Sequence, residues 1–144
     1  MFKHGKALVL VAAMSAAGWG AYSVHDAQGG KKVETRVFEM RTYYAEPGKM
    51  EALHARFRNH TNKLFVKHGM TLIGYWSPLD PKEAEQKMIY ILAYPSKEAA
   101  AKSWKDFRGD PDWKTVVAES EKDGKLVSRV DSVFLAATDY SPIK

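Results

Sequence analysis

The chain has 144 residues, 45% hydrophobic and 27% charged, which fits one compact domain and is too short for two ordinary ones. It contains no cysteine, which excludes a thiol nucleophile, a thiolate metal site, a disulfide framework, covalent c-type haem attachment and a lipidated N-terminal cysteine. The formal charge of +5, from 22 Lys+Arg against 17 Asp+Glu, permits contact with an anionic partner without requiring one.

Residues Met1 to Lys6 carry Lys3, His4 and Lys6, and the apolar run ALVLVAAMSAAGWGAY follows with no acid before Asp26. A basic start, an apolar centre and the small-x-small triplet Ala21-Tyr22-Ser23 have the layout of a signal peptide over 1–23. The alternative is an uncleaved anchor, because spanning a bilayer needs about 17 to 25 apolar residues and the run approaches that length. The expected location is therefore secreted or periplasmic, with an N-terminally membrane-anchored form as the alternative; membrane contact is expected only if the segment stays. Removing it takes two lysines from the 22 cations and none of the 17 acids, so the excess falls to +3. The remaining cations are interspersed with acids, as in EKDGK and DPKEAEQK, a solvated surface rather than a phosphate-tracking stripe, and no nucleic-acid partner is expected. Residues 24–32, with Gly29 and Gly30, read as a flexible lead-in, and 33–144 as the folded domain.

Within that domain VETRVFEMRTYY, from Val33 to Tyr44, alternates as a strand, with Val37, Glu39, Arg41 and Tyr43 on one side. Glu46-Pro47-Gly48 ends it. Met50, Leu53, Phe57, Thr61, Leu64 and His68 then recur at three- and four-residue spacing, predicting a long amphipathic helix capped at Gly69. MTLIGYWS (Met70 to Ser77) and KMIYILAY (Lys87 to Tyr94) predict two further strands joined by a polar loop. Ser96 caps a helix with Ala100, Ser103, Trp104 and Phe107 inward; Gly109 interrupts it, and Asp110-Pro111 restarts a helix carrying Trp113, Val116 and Val117 inward as far as Gly124. LVSRVDSVFLAAT, from Leu126 to Thr138, is a fourth strand.

The order βαββαβ predicts an α+β, ferredoxin-like fold: a four-stranded antiparallel sheet with its helices on one face. The other face, expected to carry Val37, Tyr43, Val133 and Leu135, would leave apolar surface in water unless a second copy covers it. A face-to-face homodimer, with the two sheets forming a barrel, is the expected solution.

The standard phosphate, dinucleotide, hydrolase-elbow, zinc-protease and calcium motifs are missing, and no cofactor is expected. No carboxylate stands at metal-ligand spacing with any His pair, so no metal site is expected either. What remains is VFEMRTYYAEPGKMEAL, KHGMTLIGYW, YPSKEAAAKSW and DPDWK. Glu39-x-Arg41-x-Tyr43 with Pro47-Gly48, the His68-Gly69 turn into Gly74-Tyr75-Trp76, Tyr94-Pro95-Ser96, and Asp110-Pro111-x-Trp113 together closely resemble the NIPSNAP domain, over about Val37 to Val117, with the last strand as a further stretch. The resemblance implies a dimeric α+β barrel, related in fold to small cofactor-independent monooxygenases and haem-handling barrels. The family has no established reaction. Its animal members are associated with mitochondria and vesicle traffic, a setting from which a short exported chain departs.

The candidate ligand-binding residues are Arg41, Tyr43, His68, Tyr75 and Trp76. Arg41 would grip an anion or carbonyl and Tyr43 would donate a hydrogen bond; the alternative for the charged positions is a structural ion-pair network of Glu39, Arg41, Arg129 and Asp131 across the ladder. His68 is a base or haem ligand in one reading and satisfies a helix end in the other. Tyr75, Trp76, Tyr90, Tyr94, Trp104 and Trp113 either line a pocket for a planar apolar molecule or fill the core of a small domain. Three functions stay open: binding of a small apolar or aromatic ligand, a cofactor-independent monooxygenase or isomerase using His68 or Tyr43 for the proton and Arg41 for an enolate-like charge, and a structural or membrane-associated interaction protein.

Overall fold

In the computed structural model the described residues are 36–144; the expected signal segment and lead-in, together with residues 33–35, lie outside them. Alternating apolar and polar residues produce four strands, β1 (Val37–Ala45), β2 (Thr71–Trp76), β3 (Lys87–Tyr94) and β4 (Val127–Ala136). They form one sheet in the order β2-β3-β1-β4, and every neighbouring pair is antiparallel. This is the ferredoxin-like α+β arrangement that the order of elements predicts.

The first helix is built in three parts: α1 (Met50–Arg56), a wide π turn (Phe57–Thr61) and α2 (Asn62–Lys67). The cause is visible in the spacing. Leu53, Phe57, Thr61 and Phe65 are all buried and each lies four residues after the last. In a helix of 3.6 residues per turn such a row drifts off the core, and one widened turn keeps it inward. Asn62 N–H accordingly donates to the Phe57 carbonyl. The Thr61 hydroxyl donates to the Arg56 carbonyl at 3.2 Å.

Between β2 and β3, where the sequence predicts a polar loop, lies a short helix α3 (Pro81–Ala84). Asp80 caps it by accepting from Lys82 N–H at 2.9 Å and Glu83 N–H at 3.1 Å. The signal, Asp followed by Pro, is the same one that marks Asp110-Pro111. Helices α4 (Lys97–Gly109) and α5 (Pro111–Ser120) follow. Ser96 caps α4 by accepting from Ala99 N–H at 3.1 Å. The second of these helices stops short of the expected Gly124 and contains no buried residue. Of the positions expected inward, Trp113 is the one that packs against the core.

The core lies between the helices and one sheet face, where Tyr90, Leu92 and Tyr94 of β3 meet Leu53, Phe57, Phe65, Trp104 and Phe107. Tyr43 belongs to this layer, with its ring 5.7 Å from Phe57 and 5.2 Å from Tyr90. The expectation that Val37 and Tyr43 lie on the open face is therefore corrected. Strand alternation ties 37, 39, 41 and 43 to one side, and Glu39 on that side bonds to Trp104 of α4. The open face instead carries Val133 and Leu135, as expected, with Trp76; these three are 48%, 39% and 50% exposed.

A candidate ligand site between helices and sheet

The strand registers set a row of side chains across the sheet beneath the helices. Tyr75 of β2 pairs with Tyr90 of β3, Tyr90 with Arg41 of β1, and Arg41 with Ser132 of β4. Directly opposed residues share a face, so these four line up under α1 and α4. Glu39 occupies the adjacent position on the same face.

Glu39 is 2% exposed and fully bonded. Its Oε1 accepts from Arg41 Nη1 and Ser132 Oγ, each at 2.6 Å. Its Oε2 accepts from Trp104 Nε1 at 2.7 Å and Tyr94 Oη at 2.9 Å. Burial pushes the carboxyl pKa up, but hydrogen bonds from Ser132, Trp104 and Arg41, with the Arg41 charge, outweigh it and hold Glu39 below the ordinary value. A carboxylate held by four donors has no lone pair free for a substrate proton, so Glu39 is an anchor for Arg41 rather than a base.

Arg41 lies with its guanidinium 4.2 Å from the centre of the Trp104 ring and 5.6 Å from that of Tyr43. Burial lowers its pKa, yet Tyr90, Tyr43 and Glu39 together raise it above the ordinary arginine value, so the positive charge is permanent. Its Nε is buried with no hydrogen-bond partner. The same is true of Tyr75 Oη, Tyr90 Oη and Asn62 Oδ1. Burial first, and then the Tyr43 charge, push the Tyr75 phenol up to about 12. These hydroxyls are neutral donors at physiological pH. Each unsatisfied buried polar group costs about 1–3 kcal/mol, and native interiors keep few of them.

The rings around these atoms form an aromatic floor. Tyr75 stacks on Tyr90 at 5.4 Å with a 25° tilt, and Phe57 stands 5.9 Å from Tyr75. A cavity of about 310 Å³ opens over it, bordered by His54, Phe57, Arg58 and Asn62 from the helix and by Tyr75 and Met88 from the sheet. A second cavity, of about 280 Å³, lies on the open face against Phe38, Ile91, Leu135 and Ile143. It has no charged lining.

Of the five residues expected to bind a ligand, Arg41, Tyr43 and Tyr75 come together in this layer. Trp76 borders the cavity, but its indole projects to the opposite face, where it fills the space a Cβ on Gly74 would need, at 2.8 Å. Alternation along β2 separates it from Tyr75. His68 ends α2 and lies 2.6 Å from Asp110 Oδ2, with Lys67 Nζ 2.9 Å from the same oxygen. Hydrogen bonds from Lys67 and His68 hold the Asp110 carboxyl far below its ordinary value. The His68 side chain therefore fastens the end of α2 to the α4–α5 joint rather than satisfying carbonyls of its own helix.

The four-residue ion-pair network divides in two. Glu39 and Arg41 pair under the helices at 2.6 Å, whereas Arg129 and Asp131 pair with each other at 3.3 Å, half-exposed. By register Arg129 and Asp131 oppose Tyr44 and Thr42, which point to the open face. Ser132, Trp104 and Tyr94 complete the Glu39 cluster and Asn62 borders the cavity; none was among the candidate binding residues. Ser132 is found only through the β1–β4 register. Asn62 has a sequence signal, since it continues the four-residue row His54, Arg58, Asn62. Among the described residues no group of three or more His, Asp or Glu side chains converges as a metal site would.

The NIPSNAP family model matches residues 38–142. A NIPSNAP family protein of unknown function from Agrobacterium tumefaciens matches with a TM-score of 0.66 at 19% identity, over 78% of this chain and 96% of that one. An uncharacterised NIPSNAP-like domain protein from Burkholderia xenovorans gives a TM-score of 0.64 at 19% identity, over 76% and 90% respectively. A candidate antibiotic biosynthesis monooxygenase from Nitrosomonas europaea gives 0.52 at 12% identity, over 74% and 94%. At these identities the likeness establishes a shared fold. Among curated proteins none matches the chain.

Proposed function

The chain belongs to the NIPSNAP family, and from that premise we propose that it binds a small apolar or aromatic molecule between its helices and sheet, and does so as an exported homodimer. The observation that carries the binding reading is a pair of buried polar atoms without a protein partner, Tyr75 Oη and Asn62 Oδ1, on residues that line a cavity at the edge of an aromatic layer. Aromatic walls with a few convergent polar groups are what a small-molecule site requires. Tyr75 borders the cavity, and Arg41 and Tyr43 lie behind it in the same layer, on β1, outside its lining.

Support for the homodimer comes from the open face. Val133, Leu135 and Trp76 present apolar surface there, and a second copy would bury it and close the cavity of that face inside the barrel. Native mass spectrometry of the protein from its own host reads both properties. A dimer carrying an extra small mass supports the proposal; a monomer removes the barrel, and a bare dimer removes the ligand. Export with cleavage after Ser23 is read by N-terminal sequencing: a start at Val24 supports it, and a retained Met1 supports the anchor.

One observation favours an enzymatic version of the same site. Arg41 is a permanent charge with a free N–H in an aromatic enclosure, the arrangement that steadies an enolate-like oxygen in a cofactor-independent oxygenase or isomerase. Tyr43, beside Arg41, is then the group that moves the proton.

A further inference from the structure

The cavity beneath the π turn is asymmetric in its chemistry, and this goes one step beyond the reading above, on which it rests. Its outer border carries Arg58, 63% exposed, and His54, and no acid lines it. Arg58 pairs with Glu51 at 2.9 Å, but both side chains are largely in water, where such a pair is worth little and is readily exchanged. Asn62 and Tyr75 also line the cavity, and their Oδ1 and Oη atoms are buried and unpartnered. Phe57 and Met88 form the apolar middle. The wide turn produces this arrangement. His54, Arg58 and Asn62 are four residues apart, and a regular helix would turn each about 40° past the last, leaving Asn62 about 80° round from His54; the Asn62 N–H to Phe57 carbonyl bond takes up the drift. Widened turns of this kind occur frequently at functional sites.

We propose that this cavity takes a small hydroxylated aromatic acid, with its carboxylate at His54 and Arg58, its ring on Phe57, Tyr75 and Met88, and its hydroxyl at the Asn62–Tyr75 end. A guanidinium and an imidazole at one end select an anion. An amide oxygen that needs a donor and a phenol that needs a partner select a hydroxyl at the other, because a hydroxyl both donates and accepts. At about 310 Å³ the space is at the small end of the ~300–1,000 Å³ of ligand pockets, which limits the molecule to one or two rings.

Isothermal titration of the full chain with 4-hydroxyphenylacetate, phenylacetate and 4-methylphenol tests the assignment. The hydroxy acid is expected to bind about tenfold more tightly than either of the others, each of which lacks one recognised group. Tyr75→Phe and Asn62→Ala are expected to erase the preference for the hydroxyl while phenylacetate binding is kept, and Arg58→Gln to erase the preference for the carboxylate. Equal affinity for all three probes, or tightest binding of the neutral phenol, overturns the assignment, and this comparison on the unaltered chain does not depend on any variant folding. If no probe binds while protein from its own host retains another small mass, the ligand class is wrong and the binding site stands. If no probe binds and no mass is retained, both fail.

Discussion

Replacing Glu39 by Gln removes one negative charge and little volume, and it isolates what holds the layer under the helices together. In the native chain the carboxylate accepts four hydrogen bonds, two of them at 2.6 Å, and neutralises Arg41, whose side chain is 17% exposed. The glutamine carbonyl still accepts from Trp104 and Tyr94, but its amide group would face Arg41 donor against donor, while the Ser132 hydroxyl turns to accept. Hydrogen bonds to charged groups are worth about 1.5–3 kcal/mol and neutral ones about 0.5–1.5. Breaking a buried pair from one side costs about 3–5 kcal/mol, because the other charge is stranded. Glu39→Gln is therefore expected to lower the unfolding free energy by about 3–5 kcal/mol, read by urea denaturation with tryptophan fluorescence. The double variant Glu39→Gln, Arg41→Met strands no charge and keeps an apolar contact on Trp104, so it is expected to recover about 2 kcal/mol or more relative to the sum of the single changes. A loss under about 1 kcal/mol for Glu39→Gln, or strict additivity of the two changes, would refute the network.

Tyrosines of the unfolded chain ionise near pH 10, whereas burial holds Tyr75 up to about 12 and keeps Tyr90 and Tyr94 above the ordinary value. Between these limits the folded chain binds more protons, so stability is full below about pH 10 and falls as pH rises above it; absorbance at the tyrosinate band should show three of the seven tyrosines ionising late. At the acid end Glu39 and Asp110 sit below their ordinary values of 4.5 and 3.8, so their contribution is present above those values and is lost as pH falls beneath them. Asp110→Asn keeps a good helix cap while removing the charge facing Lys67 and His68, and thermal melts should show a shallower acid-side slope in that variant. Val133→Lys is expected to leave the fold intact, since Val133 is 48% exposed, and to convert the proposed dimer to monomer in sedimentation; a persistent dimer would place the interface elsewhere.

The strands and their order were legible because alternation and breakers such as Glu46-Pro47-Gly48 and Pro95-Ser96 mark them locally. Side assignment was harder. Glu39 and Arg41 are charged and Tyr43 amphipathic, and nothing local says that a buried tryptophan on a helix 65 positions away bonds to the first of them. The direction of that face follows from the partner, not from polarity. The π turn leaves a trace, the unbroken four-residue spacing of Leu53, Phe57, Thr61 and Phe65, and the same trace points to Asn62. Ser132 left none, because its role depends on a register set by the whole β1–β4 ladder. His68 is tied by its bond to Asp110 to the helix end, and the pleat of β2 turns the Trp76 indole to the face opposite Tyr75.

On the proposed function, the layer between helices and sheet holds a small molecule. A crystal structure of the protein purified from its own host tests it most directly. Non-protein density is expected between Phe57, Asn62 and Tyr75, within hydrogen-bond reach of Tyr75 Oη. Side chains filling that space, with Tyr75 Oη bonded to a protein group, would contradict it.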